Sequence, residues 1–255
     1  MDYGMRVRFL LGFRERMTLP IQYNHLLQAF IYTNVRDKEL QVRYHDQGFV
    51  VNGKHIKMFT FSRLFGKYEM NQSAGSITFF PPVSMTVSSV GSDFMSEFTE
   101  EILKSDQLYL NGTKVEIESF DPLSFKGNKD RVQIEMLSPL TVYRTLSVDG
   151  KNSTKYFSPW DEEFEELIRS NLIKKNSIID KASSSATLDF SIKPMMERND
   201  KFQKIMNFKG TIIKGWLGSY LLSGSEELIR LAYYSGLGSK NSEGFGCFRI
   251  FGTGE

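Results

Sequence analysis

The sequence has little cysteine, few histidines and almost no net charge. Its 255 residues include one cysteine, Cys247, and 32 basic against 30 acidic side chains, which gives a net charge of +2. A single cysteine excludes a framework of disulfide bonds. A net charge this small does not by itself indicate a partner such as nucleic acid, so any basic surface has to be local.

Long apolar segments are also missing. No run approaches the roughly 18 apolar residues that a membrane-spanning helix needs. Residues 1–8 lack the pattern of a signal peptide. We therefore expect a cytoplasmic protein with no membrane partner. With 40% hydrophobic residues, the chain can bury one large core or the cores of two domains of about 100–150 residues.

The most distinctive segment is rich in glycine. Residues 236–246 read Gly-Leu-Gly-Ser-Lys-Asn-Ser-Glu-Gly-Phe-Gly and lie between a helix-like and a strand-like run. Neither of the usual phosphate-binding glycine motifs fits them. Because glycine tolerates positive φ and lets backbone N–H groups approach an anion, the segment predicts either contact with a polyanion or a flexible hairpin. Lys240 and Asn241 are expected at its tip.

A stretch of lysines is the second candidate for an anion-binding surface. Residues 201–225 contain Lys201, Lys204, Lys209 and Lys214 but no Asp or Glu. Acidic side chains are instead concentrated in residues 161–166, which predict a solvated helix face. The lysines either contact a polyanion or serve only solubility, and the pattern alone leaves both open.

Strand-like and helix-like patterns alternate twice along the chain. Strands are predicted in the first half at residues 5–13, 57–64, 75–89 (broken by Pro81-Pro82) and 108–120, with helices beginning at Asn24, read as the cap, and at Ser92. In the second half they are predicted at residues 131–144, 188–194, 202–216 and 245–251, with helices at 160–175 and 226–234. Both halves follow the β-α-β-β-α-β order. The predicted fold class is α+β, with two tandem ferredoxin-like modules at residues 1–125 and 126–255.

Three stretches resemble the CRISPR-associated endoribonuclease family six, enzymes that cut the long CRISPR transcript within each repeat. Residues 23–32 resemble the first helix of the family, and Lys57-Met-Phe-Thr-Phe-Ser62 resembles its second strand. Leu137-Ser-Pro-Leu140 and residues 236–246 resemble the start and end of its second half. The similarity covers essentially the whole chain in the right order. It implies that the partner is CRISPR repeat RNA; other CRISPR effector subunits are further candidate partners, and a monomer or homodimer is expected.

The residue inventory agrees with metal-independent RNA cleavage. This reaction needs a base for the 2′-OH, an acid for the departing 5′-oxygen and a cation for the charge on phosphorus. Histidine suits the base and the acid, and the three histidines His25, His45 and His55 all lie in the first module. Clustered carboxylates are missing around them, so we expect no metal and no cofactor. The expected products end in a 2′,3′-cyclic phosphate and a 5′-hydroxyl.

By motif position, the resemblance places a catalytic triad on Tyr32, His45 and Lys57. Tyr32 is expected to project from the first helix on the side opposite its apolar stripe. His55 lies two residues before Lys57 and remains an alternative to His45, because the spacing does not decide between them. His25 follows the predicted helix cap and is expected to make a structural hydrogen bond.

The resemblance also implies that RNA is held by the second module. The implied RNA-binding residues are Lys209, Lys214, Gly236, Gly238, Lys240, Asn241, Gly244 and Gly246. Two other functions stay open from sequence. The first is a catalytically inactive RNA-binding subunit of a CRISPR effector complex with the same fold. The second is a scaffold for a protein or small ligand, in which residues 236–246 form a simple turn.

Overall fold

The structure is a computed structural model that describes residues 4–51, 53–126, 130–148, 151–180 and 188–252. Its helices are α1 Asn24–Thr33, α2 Lys38–Gln41, α3 Ser92–Lys104, α4 Glu163–Ile179 and α5 Glu226–Ser235. The strands of the first half are β1 Met5–Gly12, β2 Met17–Pro20, β3 Phe49–Val51, β4 Lys54–Ile56, β5 Phe59–Phe61, β6 Phe65–Asn71, β7 Ser76–Ser89, β8 Leu108–Leu110 and β9 Thr113–Leu123. Those of the second half are β10 Arg131–Met136, β11 Tyr143–Val148, β12 Lys151–Tyr156, β13 Phe190–Pro194, β14 Gln203–Phe208, β15 Thr211–Trp216, β16 Ser219–Gly224 and β17 Phe248–Ile250.

The first half forms an antiparallel sheet with helices on it. The strands follow the order β2-β7-β1-β9-β8, and both β5 and β6 also pair with β7. Phe98 of α3 makes edge-to-face contacts with Phe9 of β1 and Phe30 of α1. These three rings are buried, as expected where alternate strand residues meet the apolar stripes of two helices.

The second half repeats the arrangement with its own sheet. Its strands follow the order β13-β16-β10-β17, so the first and third strands of the repeat are central. Helices α4 and α5 pack against each other and supply buried Phe164, Leu172, Leu228 and Ala232 to a second hydrophobic core. Both sheets have the strand order of a ferredoxin-like module, and the tandem ferredoxin-like fold is confirmed. The boundary near residue 125 stays a prediction.

Among the described residues, three two-stranded hairpins lie outside the two sheets. They pair β3 with β4, β11 with β12, and β14 with β15. The β14–β15 hairpin is joined to residues 236–246 by a small apolar cluster of Phe208, Ile213 and Phe245. The β3–β4 hairpin contains His55 and is followed by Lys57, and the β14–β15 hairpin contains Lys209 and Lys214. Two of the hairpins thus hold or adjoin residues that the sequence analysis named.

Several local predictions were wrong. Strand β7 runs without interruption through Pro81 and Pro82. These prolines lie opposite a register shift in β6 between Gly66 and Tyr68. Because the regular pairing is already interrupted there, the N–H groups that proline lacks cost no hydrogen bond of the sheet. Helix α1 is not capped by the Asn24 side chain, because its N-cap is Tyr23. Strand β16 was missed, although it pairs with both β10 and β13. Among the helices that the structure describes, none combines the length and apolarity needed to cross a membrane.

Candidate active site

Tyr32 lies in the wall of the site. Its side chain is only 8% exposed and is therefore buried against neighbouring segments. The ring packs edge-on against Phe59, and the hydroxyl donates to the carbonyl oxygen of Tyr44 at 2.9 Å. Burial, with the negative charges of Asp46 and Glu243, raises the pKa of Tyr32 well above its usual value. The phenol is therefore protonated at neutral pH and serves as a hydrogen-bond donor.

His45 lies directly over this wall. It belongs to a π-helical turn, Val42–Gln47, and its side chain is 55% exposed. The imidazole meets the Tyr32 ring edge-on with 4.5 Å between centroids, and its Nδ1 lies 2.6 Å from Oδ1 of Asp46. Because a carboxylate can only accept, Nδ1 donates, and the neutral ring carries its lone pair on Nε2. The pair with Asp46 thus orients His45 as a proton acceptor.

Lys57 completes this group. Its ammonium donates to the carbonyl oxygen of His45 and lies 5.7 Å from the centroid of the Tyr32 ring. Partial burial lowers the pKa of Lys57, while the negative charges of Asp46 and Glu243 oppose this shift. The structure brings Tyr32, His45 and Lys57 together.

His55 lies on β4, close to the same group. Its Nδ1 donates to the carbonyl oxygen of Gln47, which again leaves the lone pair of the neutral ring on Nε2. It lines the same cleft as Lys57, so the choice between His45 and His55 is still open. His25 has its Nδ1 2.9 Å from the carbonyl oxygen of Gln22, the local hydrogen bond expected for it.

Residues 236–246, here called the glycine loop, are mostly buried. Gly236, Gly238, Gly244 and Gly246 have positive φ, between 66° and 84°. A Cβ at Gly246 would lie 2.0 Å from the carbonyl oxygen of Leu237. Glycine is therefore required here by backbone conformation and by close packing.

Several polar groups of the glycine loop are already paired within the protein. The amides of Gly236, Gly244 and Gly246 donate to carbonyl oxygens within the protein. Asn241 is buried, and its Nδ2 donates to the carbonyl oxygens of Leu237 and Phe245. The loop thus turns the Asn241 side chain, expected at its tip, inward, where it supports the loop. These residues hold the shape of the loop.

The glycine loop docks on helix α1 of the first module. Asn24 Nδ2 donates to the carbonyl oxygens of Glu243 and Gly244, each at 3.1 Å. Gln28 Nε2 donates to the carbonyl oxygen of Ser242 at 2.6 Å. Sequence reasoning missed Asn24 and Gln28 as site residues. Their spacing with Tyr32, four residues apart along one helix face, is the signal that could have found them.

The predicted lysines occupy three different positions. Lys209 is in the β14–β15 turn, and its ammonium lies 3.3 Å from Oε1 of Gln28. Lys214 on β15 is exposed. Lys240 pairs with Glu243 at 3.2 Å. Lys209 and Lys240 are thus next to the contact between the loop and α1.

A cleft of about 730 Å³ runs between the two halves beside these residues. Its walls include His55 and Lys57 from the first half and Tyr143, Lys174 and Lys240 from the second. Lys175, Arg144, Glu166 and Glu243 also line it. Cations outnumber acids along this cleft, so it favours an anionic ligand.

The sequence is similar to those of known proteins, and the similarity covers nearly the whole length of two of them. A family model described as CRISPR associated protein Cas6, C-terminal, matches residues 121–250. The chain is 25% identical over 245 residues to the CRISPR-associated endoribonuclease-like protein Cas6nc of Pyrococcus horikoshii, covering 94% of this chain and 97% of the relative. It is 24% identical over 255 residues to the CRISPR-associated endoribonuclease Cas6 1 of Methanocaldococcus jannaschii, covering 96% and 92%.

Solved structures agree on the fold. A protein from a Cas6-related gene of Pyrococcus furiosus has a TM-score of 0.81 at 22% identity, with 98% of this chain and 99% of that chain covered. A protein described as a RAMP protein binding different RNA substrates has a TM-score of 0.78 at 22% identity, with 96% and 99% covered. The family model matches more than half of the 255 residues. The chain therefore belongs to the Cas6 family of CRISPR-associated proteins.

Proposed function

We propose that this protein is a metal-independent endoribonuclease that cleaves CRISPR precursor RNA within the repeats and so releases guide RNAs. The observation that carries the proposal is the contact of Tyr32 with both His45 and Lys57 beside a cation-lined cleft, of which Lys57 forms part of the wall. The names of the two curated relatives, both CRISPR-associated, supply the substrate class.

The reaction requires one proton to leave and one to arrive. Nε2 of His45 accepts the proton of the 2′-OH as the 2′-oxygen bonds to phosphorus. The bond from phosphorus to the 5′-oxygen then breaks, which leaves a 2′,3′-cyclic phosphate. The 5′-oxygen takes up a proton and leaves as a hydroxyl, and we assign the role of donor to the Lys57 ammonium, whose pKa is lowered by burial.

Lys57 and Tyr32 have further parts in this scheme. The Lys57 ammonium offsets the negative charge that grows on the phosphorane oxygens. The Tyr32 ring contacts both the His45 ring and the Lys57 ammonium and so holds them in position. Its own hydroxyl stays protonated, because its pKa is raised. The three side chains supply a base, a cation and a fixed geometry.

RNA binding is proposed for the cleft walls and the adjacent hairpin. Lys209, Lys214 and Lys240 are the lysines that the resemblance indicates, and Lys174 and Arg144 add charge along the same cleft. Lysine and arginine contacts to phosphates make affinity fall with salt, while single-stranded bases are read by stacking and edge hydrogen bonds. The exposed charge of the cleft suits the first kind of contact.

The test is to incubate the protein with repeat RNA in EDTA. We expect cleavage at one site, and a single 2′-deoxy substitution at the scissile nucleotide should abolish it while leaving binding intact. Tight, salt-sensitive binding without cleavage would instead identify an inactive RNA-binding subunit, an alternative that fits the endoribonuclease-like name of one relative. Neither binding nor cleavage would favour a scaffold without a nucleic-acid partner.

A further inference from the structure

A buried lysine lies beneath the glycine loop. Lys175 on α4 is 1% exposed. Its ammonium lies 2.6 Å from the carbonyl oxygen of Gly236, 2.8 Å from Oδ1 of Asn241 and 3.4 Å from the carbonyl oxygen of Ser235. Three N–H donors therefore meet three acceptors, all within the loop or at the helix end from which it starts.

The positions of these acceptors show which parts of the chain the ammonium connects. Ser235 and Gly236 are at the C-terminal end of α5, where helix carbonyls have no partner of their own and attract a cation. Asn241 accepts from Lys175 while its amide donates to Leu237 and Phe245 on both sides of the loop. A single ammonium thus ties the helix end to the middle of the loop.

Burying the Lys175 ammonium at this position has a large free-energy cost. Removing an ammonium from water costs several kcal/mol. In keeping with this, burial lowers the pKa of Lys175 to about 7. An apolar side chain of similar length would avoid that cost. Around the cleft that Lys175 helps to line, the other charged or titratable side chains are His55, Lys57, Tyr143, Arg144, Glu166, Lys174, Lys240 and Glu243.

The anchored loop reaches the candidate catalytic group. Ser242 and Glu243 follow Asn241 directly, and their carbonyl oxygens accept from Gln28 and Asn24 of α1. The carboxylate of Glu243 acts on both Tyr32 and Lys57, since its negative charge raises the pKa of each. A shift of the loop would therefore change the surroundings of both side chains.

We propose that Lys175 is a positioning residue for RNA cleavage, which acts by fixing the glycine loop so that Ser242 and Glu243 face Tyr32 and Lys57. This inference rests on the proposed RNA-cleaving function. It assigns to Lys175 a role in specifying one loop conformation rather than in raising overall stability.

The test replaces the ammonium with an apolar side chain in Lys175→Met. We expect amide hydrogen exchange to quicken at residues 236–246, while the thermal midpoint of unfolding stays close to that of the wild type, because the relieved desolvation cost offsets the three lost hydrogen bonds. Single-turnover cleavage at saturating protein should slow by roughly tenfold or more, because a small displacement of a site costs rate more than binding. The affinity for a 2′-deoxy repeat RNA should change less than the rate.

Lys174→Met is the matched control. It removes the neighbouring cation, which also lines the cleft, and should weaken RNA binding without altering exchange in the loop. Unchanged loop exchange or unchanged cleavage in Lys175→Met would overturn the proposal. So would failure of both Lys175→Met and Lys175→Gln to fold, because Lys175 would then serve overall stability. A wild-type protein that does not cut RNA contradicts the proposed function separately, and loop exchange still decides whether Lys175 anchors the loop.

Discussion

Two segments meet at the candidate site, and they are built in opposite ways. Residues 42–57 hold His45, His55 and Lys57 in a π-helical turn and a short hairpin, and both histidine side chains are exposed. The glycine loop at residues 236–246 is mostly buried, and its amides, its asparagine and the ammonium of Lys175 are joined by internal hydrogen bonds.

The difference indicates separate roles for the two segments: the first presents reactive side chains, and the second supports the site. Side chains that exchange protons with a substrate need access to it, and His45 and His55 are exposed. A loop that defines a position must not have alternative conformations, and the packing of Gly246 leaves no room for them. The glycines thus serve rigidity here, although a run of glycines in a sequence suggests flexibility.

The largest expected effect tests the exposed segment. His45→Ala should slow single-turnover cleavage by about 10²–10⁴-fold, the usual contribution of general acid–base catalysis, because the base for the 2′-OH is lost. Binding of 2′-deoxy repeat RNA should stay close to the wild-type value. His55→Ala is the control with the same change on the neighbouring strand. If it shows the large loss while His45→Ala cuts normally, the base is His55.

The next effect tests the buried segment. Gly246 and Gly112 both have φ of 78°, but a Cβ at Gly112 meets nothing within 4 Å. Gly112→Ala should therefore cost only about 1–2 kcal/mol of unfolding free energy, for the left-handed backbone. Gly246→Ala should lose a further ~1–3 kcal/mol through its clash with Leu237. Equal denaturant midpoints for the two variants would show that the loop is not tightly packed.

A smaller effect separates the charge of Lys175 from its packing. The pKa of Lys175 is lowered to about 7 in the folded protein from 10.5, so the unfolded chain binds more protons between these values. The free energy of unfolding of the wild type should rise with pH across that window relative to Lys175→Met, by up to roughly 1 kcal/mol per pH unit. Chemical denaturation at several pH values measures it. A constant difference between the two proteins would show that Lys175 is not desolvated.

The smallest effect concerns the exposed lysines of the hairpin. If Lys214 contacts a phosphate, Lys214→Ala should lower the slope of log affinity against log salt by about 0.7–0.9. Lys104→Ala removes the same charge from α3, where Lys104 pairs with Glu100, and should leave the slope unchanged. Equal slopes for both variants would place Lys214 outside the RNA-binding surface.

The sequence predicted the fold because local patterns specify it. The apolar stripes of α1, α3 and α5 and the strand-like runs between them are enough to show the repeated β-α-β-β-α-β order. Local patterns were weaker for the β3–β4 hairpin, whose strands have three residues each, and for β16, whose six residues include two serines and a glycine. The break expected at Pro81-Pro82 was wrong because the pairing partner has its own irregularity at that point.

The site was predictable in part. Tyr32, His45 and Lys57 were named from the resemblance, and the structure brings them together. The sequence could not reveal that Tyr32 is buried, because its neighbours Tyr44 and Phe59 come from other segments. Lys175 gave no signal either. A lysine on an acidic helix looks solvated until the tertiary fold covers it.

A single cross-linking measurement tests most directly whether the two segments act on the same RNA. A 2′-deoxy repeat RNA with 4-thiouridine beside the scissile phosphate would be bound, irradiated and digested, and the cross-linked peptides identified by mass spectrometry. We predict cross-links to residues 42–57 and to the adjoining residues 239–243. Cross-links confined to other surfaces, such as the exposed face of β6 around Tyr68 and Met70, would contradict the account.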